Sequence, residues 1–182
     1  MIEDEKRNEI LNIVPLLTDY TQDVRDIKRF LNSIMSVLYY FSNEQNKRLA
    51  MQLNICDYII IELIKRENRE LYSIIWKNAT YFVSADRETM FGREGYLQAN
   101  QEKKNAETKD FYKKLFSSEK NSQYINLLKR IFPYVDHYVR ERNNIISKDY
   151  TDEDYEQAIK KHRIYSGNYF PIYFTLHGNE HL

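Results

Sequence analysis

The chain has 182 residues and carries 27 Lys and Arg against 27 Asp and Glu, so no net field steers it toward nucleic acid, an anionic membrane or acidic substrates. A chain of this length can bury a core without disulfides or metals, and its one cysteine, Cys56, excludes an internal disulfide framework and points to an intracellular protein. No apolar run approaches the ~18 residues of a membrane span, and the N-terminal "MIEDEKRNEI" is too charged for a signal peptide, so a soluble, cytoplasmic protein without membrane insertion is expected.

Four glycines and three prolines leave little punctuation, which favours long helices over many short strands. The first expected helix, Glu3 to Val14, crowds Ile10, Leu11, Ile13 and Val14 ahead of Pro15, which should end it. From Asp23 onward Val24, Ile27, Phe30, Leu31, Ile34, Val37 and Leu38 recur at three and four residues and predict one buried stripe, with the helix ending after Ser42. Asn54 offers an N-cap to the nearly all-apolar "ICDYIIIELIKR", a central helix in which Cys56 reads as a small core residue. Asn68 repeats the device before "RELYSIIWKNATYFV", where Leu71, Ile74, Ile75 and Trp76 should pack inward.

Residues 84–100 lack periodicity and predict a long loop, which divides the chain into helical parts 1–84 and 85–182 unless the two form one continuous domain. "EKKNAETKDFYKKLF" and "NSQYINLLKRIF" give two further helices, the second stopped by Pro133. The following "VDHYVRERNNIISKDY" reads as irregular, and Thr151 as the cap of "DEDYEQAIKKHR", with acidic residues first and basic residues last. The aromatic tail "IYSGNYFPIYF" is compatible with a strand, a helix or a partner-facing patch. The sum is a mainly α protein, an irregular bundle of about six to seven helices with an aromatic C-terminal tail.

Chemistry is sparse. A Gly-Lys-Ser/Thr phosphate loop and a Gly-rich dinucleotide fingerprint are both missing, so the chain has no nucleotide-binding loop of its own. One Cys with dispersed His137, His162, His177 and His181 supplies no paired zinc ligands. Arg130 and His137, separated by six residues, fit the loose Arg-His spacing of HEPN-type ribonucleases, but Pro133 falls between them. The runs "KRF" and "EKK…YKK" are interleaved with acids, so nucleic acid is not expected as a partner.

The stretch "TQDVRDIKRFLNSI" is the most informative. On a helix, Arg25, Lys28, Arg29 and Asn32 share a polar face opposite Val24, Ile27, Phe30, Leu31 and Ile34. This is either a solvated face with local pairs, such as Arg25 with Asp26 or Asp23, or an anion contact in which a guanidinium forks onto phosphate oxygens.

The same string resembles the "T-P-R-D-I-K-R-F-L-N" segment of the KAP family of P-loop NTPases, with Val24 in place of the family's proline. "QLNICDYIIIELIK" is similar to the family's "E-V-N-x-x-D-L-L-x-L-E-x-L", "ENRELYSIIWKNATYFVS" to "E-P-E-L-Y-x-x-I-x-x-N", and "INLLKRIFPYV" to "L-L-x-x-L-F-P". "HRIYSGNYFPIYFTL" resembles the closing "R-R-I-S-x-P-x-Y-F-D-R-Y-F", departing from it at Pro171 and Ile172. The five strings keep the family's order and cover about residues 16–176. The resemblance implies the helical C-terminal part of such a protein, with a lid-like subdomain in 1–84 and no catalysis by this chain alone. It implies an upstream P-loop NTPase domain as partner, ATP and Mg as cofactors of the complete protein, a protein effector, and a setting in bacterial antiviral defence. Arg25 would then be a nucleotide-sensing cation, with Lys28 and Arg29 as further candidates and Asn32 as a positioning group. A free-standing helical interaction module with a tyrosine-rich surface and a HEPN-like ribonuclease are the alternatives.

Overall fold

The computed structural model describes residues 11–21, 23–42, 52–83, 106–142 and 152–175. In chain order these form α1 (11–18), α2 (Val24–Ser42), α3 (Ile55–Glu67), α4 (Arg69–Lys77) and a single 3-10 turn (Ala79–Tyr81). They continue as α5 (106–115), α6 (Glu119–Ser122), α7 (Ile125–Ile131), α8 (Pro133–Arg142), α9 (Asp152–Lys160) and α10 (Phe170–Thr175), and no strand occurs among the described residues. The mainly helical class expected from the scarcity of glycine and proline is the one observed. Among the described residues no helix is long and apolar enough to cross a membrane.

Two asparagines set the centre of the bundle, as their positions before apolar runs predict. The Asn54 side-chain oxygen accepts from the backbone N–H groups of Cys56 and Asp57 at 3.1 and 3.2 Å, starting α3. The Asn68 oxygen accepts from Leu71 N–H at 3.0 Å, and its amide donates to Asn121 Oδ1 at 3.1 Å, so one buried side chain starts α4 and ties it to α6. Helix α3 buries Tyr58, Ile59, Ile60, Ile61, Leu63 and Ile64 and packs against α2, α4 and α7. A helix apolar around most of its circumference needs neighbours on most sides, and α3 has them.

Leu127, Leu128, Phe132, Phe170, Tyr173 and Phe174 belong to the same buried cluster as the α3 and α4 side chains, so the core draws on both sides of the division at residue 84. Trp76 packs, as expected, on Phe170 and Phe174, with ring centroids 6.0 and 5.1 Å apart. The aromatic tail therefore resolves into a short core helix, α10, because its rings have Tyr72 and Trp76 to cover.

Several local expectations are corrected. Pro15 does not end the first helix, which runs through it to Thr18. Ile13 and Leu17, four residues apart, are buried on one face while Pro15 lies on the exposed face, where a missing N–H leaves a carbonyl that water can reach. Val24 is 67% exposed instead of joining the stripe, and within the described side chains of α2 only Phe30 and Ile34 are fully buried. Pro133 does follow the end of α7, but it also opens α8 across residues expected to be irregular. Phe132 takes the extended conformation favoured before proline (φ −128°, ψ 107°), and proline at a helix's first position sacrifices no hydrogen bond. The expected loop over 84–100, the Thr151 cap, the side chains of Val37 and Leu38, and residues 1–10 lie outside the described residues.

Candidate functional site

The N-terminal half of α2 presents its charge outward. Asp23 Oδ1 accepts from Asp26 N–H at 2.7 Å and caps the helix. Burial of Phe30 and Ile34 against the core then turns Arg25, Lys28, Arg29 and Asn32 to solvent on the far side. The four expected residues thus share one exposed face, and none of the three cations has a carboxylate partner among the described residues. The local pairing of Arg25 with Asp26 or Asp23 is not formed. Asp26 pairs with Arg66 of α3, whose Nη2 donates to Asp26 Oδ2, whose Nε donates to Glu67 Oε1 at 2.6 Å, and whose guanidinium lies 5.2 Å from the Phe30 ring centroid. Burial opposes the Arg66 charge, and the hydrogen bonds it donates to Glu67 and Asp26 outweigh that, so the guanidinium sits above its ordinary pKa.

Arg25 stands in the first turn of α2, the wrong end of a helix for a cation, and Lys28 and Arg29 follow in the second turn. The N-terminal end of a helix carries partial positive charge, and a cation there costs some tenths to about 1 kcal/mol. α3 and α4 place Lys65, Arg66 and Lys77 in their last turns, where the dipole favours them, whereas α2 has no basic residue in its last turn. Guanidinium and ammonium groups donate hydrogen bonds and accept none, so the three cations suit an anion.

A second polar constellation was not singled out from the sequence. Asp57 is 1% exposed, and its Oδ2 accepts from Arg163 Nε at 2.9 Å and from Ile164 N–H at 2.8 Å. Arg163 Nη2 donates to the Arg130 carbonyl at 2.8 Å, and the Tyr173 hydroxyl donates to the His162 carbonyl at 2.6 Å while accepting from Asn54 N–H at 2.7 Å. The chain reaches this arrangement by the way α9 stops. His162 N–H bonds Ile159 O and Arg163 N–H bonds Ala158 O, the double closure of a Schellman motif, with His162 in the left-handed position (φ 52°) that glycine usually fills. That turn directs Arg163 back toward Asp57. Burial holds the Tyr173 phenol far above its ordinary value. The sequence signal was the lone aspartate inside "ICDYIIIELI", since a carboxylate buried in an apolar run requires a partner.

Arg130 and His137 are not presented together on one helix, because the break at Phe132 puts the first on α7 and the second on α8. His137 Nε2 lies 2.9 Å from Glu141 Oε1, and the Arg130 carbonyl, not its side chain, joins the polar network. Among the described residues no group of three or more His, Cys, Asp or Glu is placed to hold a metal ion. Of the many tyrosines, Tyr58, Tyr72, Tyr112, Tyr124 and Tyr173 are buried core and offer no docking surface. No protein-family model, curated protein or solved structure matches the chain.

Proposed function

We propose that the chain is a helical regulatory module of a KAP-type P-loop NTPase, in which the outer face of α2 meets the phosphates of a nucleotide bound by a separate NTPase domain. The observation that carries this reading is the exposed face of Arg25, Lys28 and Arg29, which have no carboxylate partner among the described residues, with Arg25 in the first turn, where the helix dipole disfavours a cation. An anion at this face relieves both the mutual repulsion and the dipole cost. Arg25 and Arg29 have the planar fork that suits phosphate oxygens, Lys28 adds a point charge, and Asn32 adds an amide donor.

The fit to ATP is partial, and that defines the division of labour. The residues of this chain suit phosphate contact only, since it has no glycine-rich loop to cradle a nucleotide. ATP and Mg would be held by the NTPase domain, where the metal supplies charge neutralisation at the phosphates. Two of the strings that carry the KAP resemblance meet in one network of Asn54, Asp57, Arg163 and Tyr173, which ties the start of α3 to residues more than 100 positions later.

The test is ATP turnover by the protein assembled with its NTPase domain, wild type beside Arg25→Ala, Lys28→Ala and Arg29→Ala. A loss of tenfold or more is expected for at least one arginine variant, roughly the scale of removing a charge-stabilising group. Turnover unchanged by all three variants sinks the proposal. The interaction-module reading finds its support on the same helix, in the exposed side chains of Val24, Met35 and Tyr39, and pull-down of a protein partner dependent on Met35 would favour it.

A further inference from the structure

We infer that Arg66 is a positioning residue for the α2 anion face, acting by drawing Asp26 away from the cations beside it. This rests on the anion-contact reading of α2 and names what keeps that face charged. Asp26 lies three residues before Arg29 and next to Arg25, and an acid three residues before a base on a helix is well spaced to pair with it. Left to local geometry, Asp26 would neutralise one of the cations that the face presents. The fold supplies a different partner: Arg66, from a helix 40 residues further along, binds Asp26 Oδ2 through Nη2.

The hold on Arg66 is tight on three sides. Its Nε is engaged by Glu67, its guanidinium face lies over Phe30, and its side chain is only 33% exposed, against 28% for Asp26. Phe30 is itself buried core, so the cross-helix pair is fastened to the packing of α2 on α3 and keeps its position. With Asp26 so engaged, Arg25, Lys28 and Arg29 all remain available to an anion.

The experiment is calorimetric titration of the full chain with inorganic triphosphate at low ionic strength, with folding checked by circular dichroism. Arg66→Met frees Asp26 and is expected to weaken binding about twofold, the scale of gaining one competing carboxylate at helix spacing. Asp26→Asn in the Arg66→Met background removes the competitor and is expected to restore affinity to about the wild-type value. Glu67→Gln in the same background has the same net charge but leaves Asp26 free, and binding is expected to stay weak. Asp26→Asn alone keeps wild-type affinity or better, which holds the test open if Arg66→Met does not fold.

Restoration by Glu67→Gln as complete as by Asp26→Asn, or no weakening in folded Arg66→Met, overturns the role of Arg66 while leaving the anion site standing. A loss of affinity in Asp26→Asn alone also overturns it. Wild-type chain that binds no triphosphate, or binds it equally after Arg25→Ala and Arg29→Ala, removes the anion-contact reading and this inference together.

Discussion

Removing Arg163 should be among the most damaging single substitutions in the described structure, although its side chain is 26% exposed and lies in a loop. In Arg163→Met the methylene packing is largely kept while the guanidinium is lost. Asp57, 1% exposed, then retains the Ile164 N–H as a donor but loses the charge of the Arg163 guanidinium. Breaking a buried pair by removing one partner costs about 3–5 kcal/mol. The lost bond to the Arg130 carbonyl adds about 1 kcal/mol at most, because that carbonyl belongs to an exposed helix end. Against a total stability of roughly 5–15 kcal/mol, this brings the protein close to unfolding. Urea denaturation followed by circular dichroism and Trp76 fluorescence should show a much lower midpoint with an unchanged slope. The cause is separable from lost packing: Asp57→Asn combined with Arg163→Met removes both charges of this pair and should be more stable than Arg163→Met alone, the inverted order expected when a buried carboxylate has lost its guanidinium. A loss below about 1 kcal/mol for Arg163→Met, or a double variant no better than the single, would refute the reasoning.

Three further outcomes follow from packing and burial. Phe174→Ala removes a ring 4.9 Å from Tyr72 and 5.1 Å from Trp76; a cost of about 3 kcal/mol is expected, since Phe174 sits at the core's margin, with a red shift of Trp76 emission. Asn68→Ala loses the α4 cap and the bonds to Asn121 Oδ1 and the Lys120 carbonyl, for about 2–3 kcal/mol by chemical denaturation. Burial holds the phenols of Tyr58, Tyr112 and Tyr173 well above the ordinary 10.0. With the folded value raised, the unfolded chain loses these protons first, so their contribution to stability is intact below pH 10.0 and falls as the pH climbs past it. A phenolate absorbance titration should therefore show the exposed tyrosines ionising reversibly and the buried ones only in a cooperative alkaline unfolding.

Local rules reached a good part of this molecule. Asn54 and Asn68 cap the helices that the sequence assigned to them, because a cap is a bond between residues two or three apart. Phe30, Ile34 and the α3 run are buried where the apolar pattern placed them. Pro133 follows the end of α7, as expected, and also begins a helix, whereas Pro15, expected as a stop, sits inside a helix on its exposed face, where water can reach the carbonyl that it leaves unbonded. Val24 fits the apolar period of α2 but lies 67% exposed, since a period fixes a face only up to the width that the neighbouring helices cover. Of the candidate site, the grouping of Arg25, Lys28, Arg29 and Asn32 on one face was legible from helix geometry, whereas the lack of a carboxylate partner for the three cations among the described residues was not.

The sequence by itself determined the helical class, the principal caps, the apolar face of α2 and the missing phosphate-binding loop, because each depends on residue types a few positions apart. Tertiary structure decided the pairing of charges. Asp26 has basic residues beside it in the chain but binds Arg66, and Asp57 waits for Arg163, 106 residues later. A charge takes the partner that packing holds at hydrogen-bonding distance, and packing is settled by the burial of Phe30, Tyr58 and Tyr173 against side chains far away in sequence.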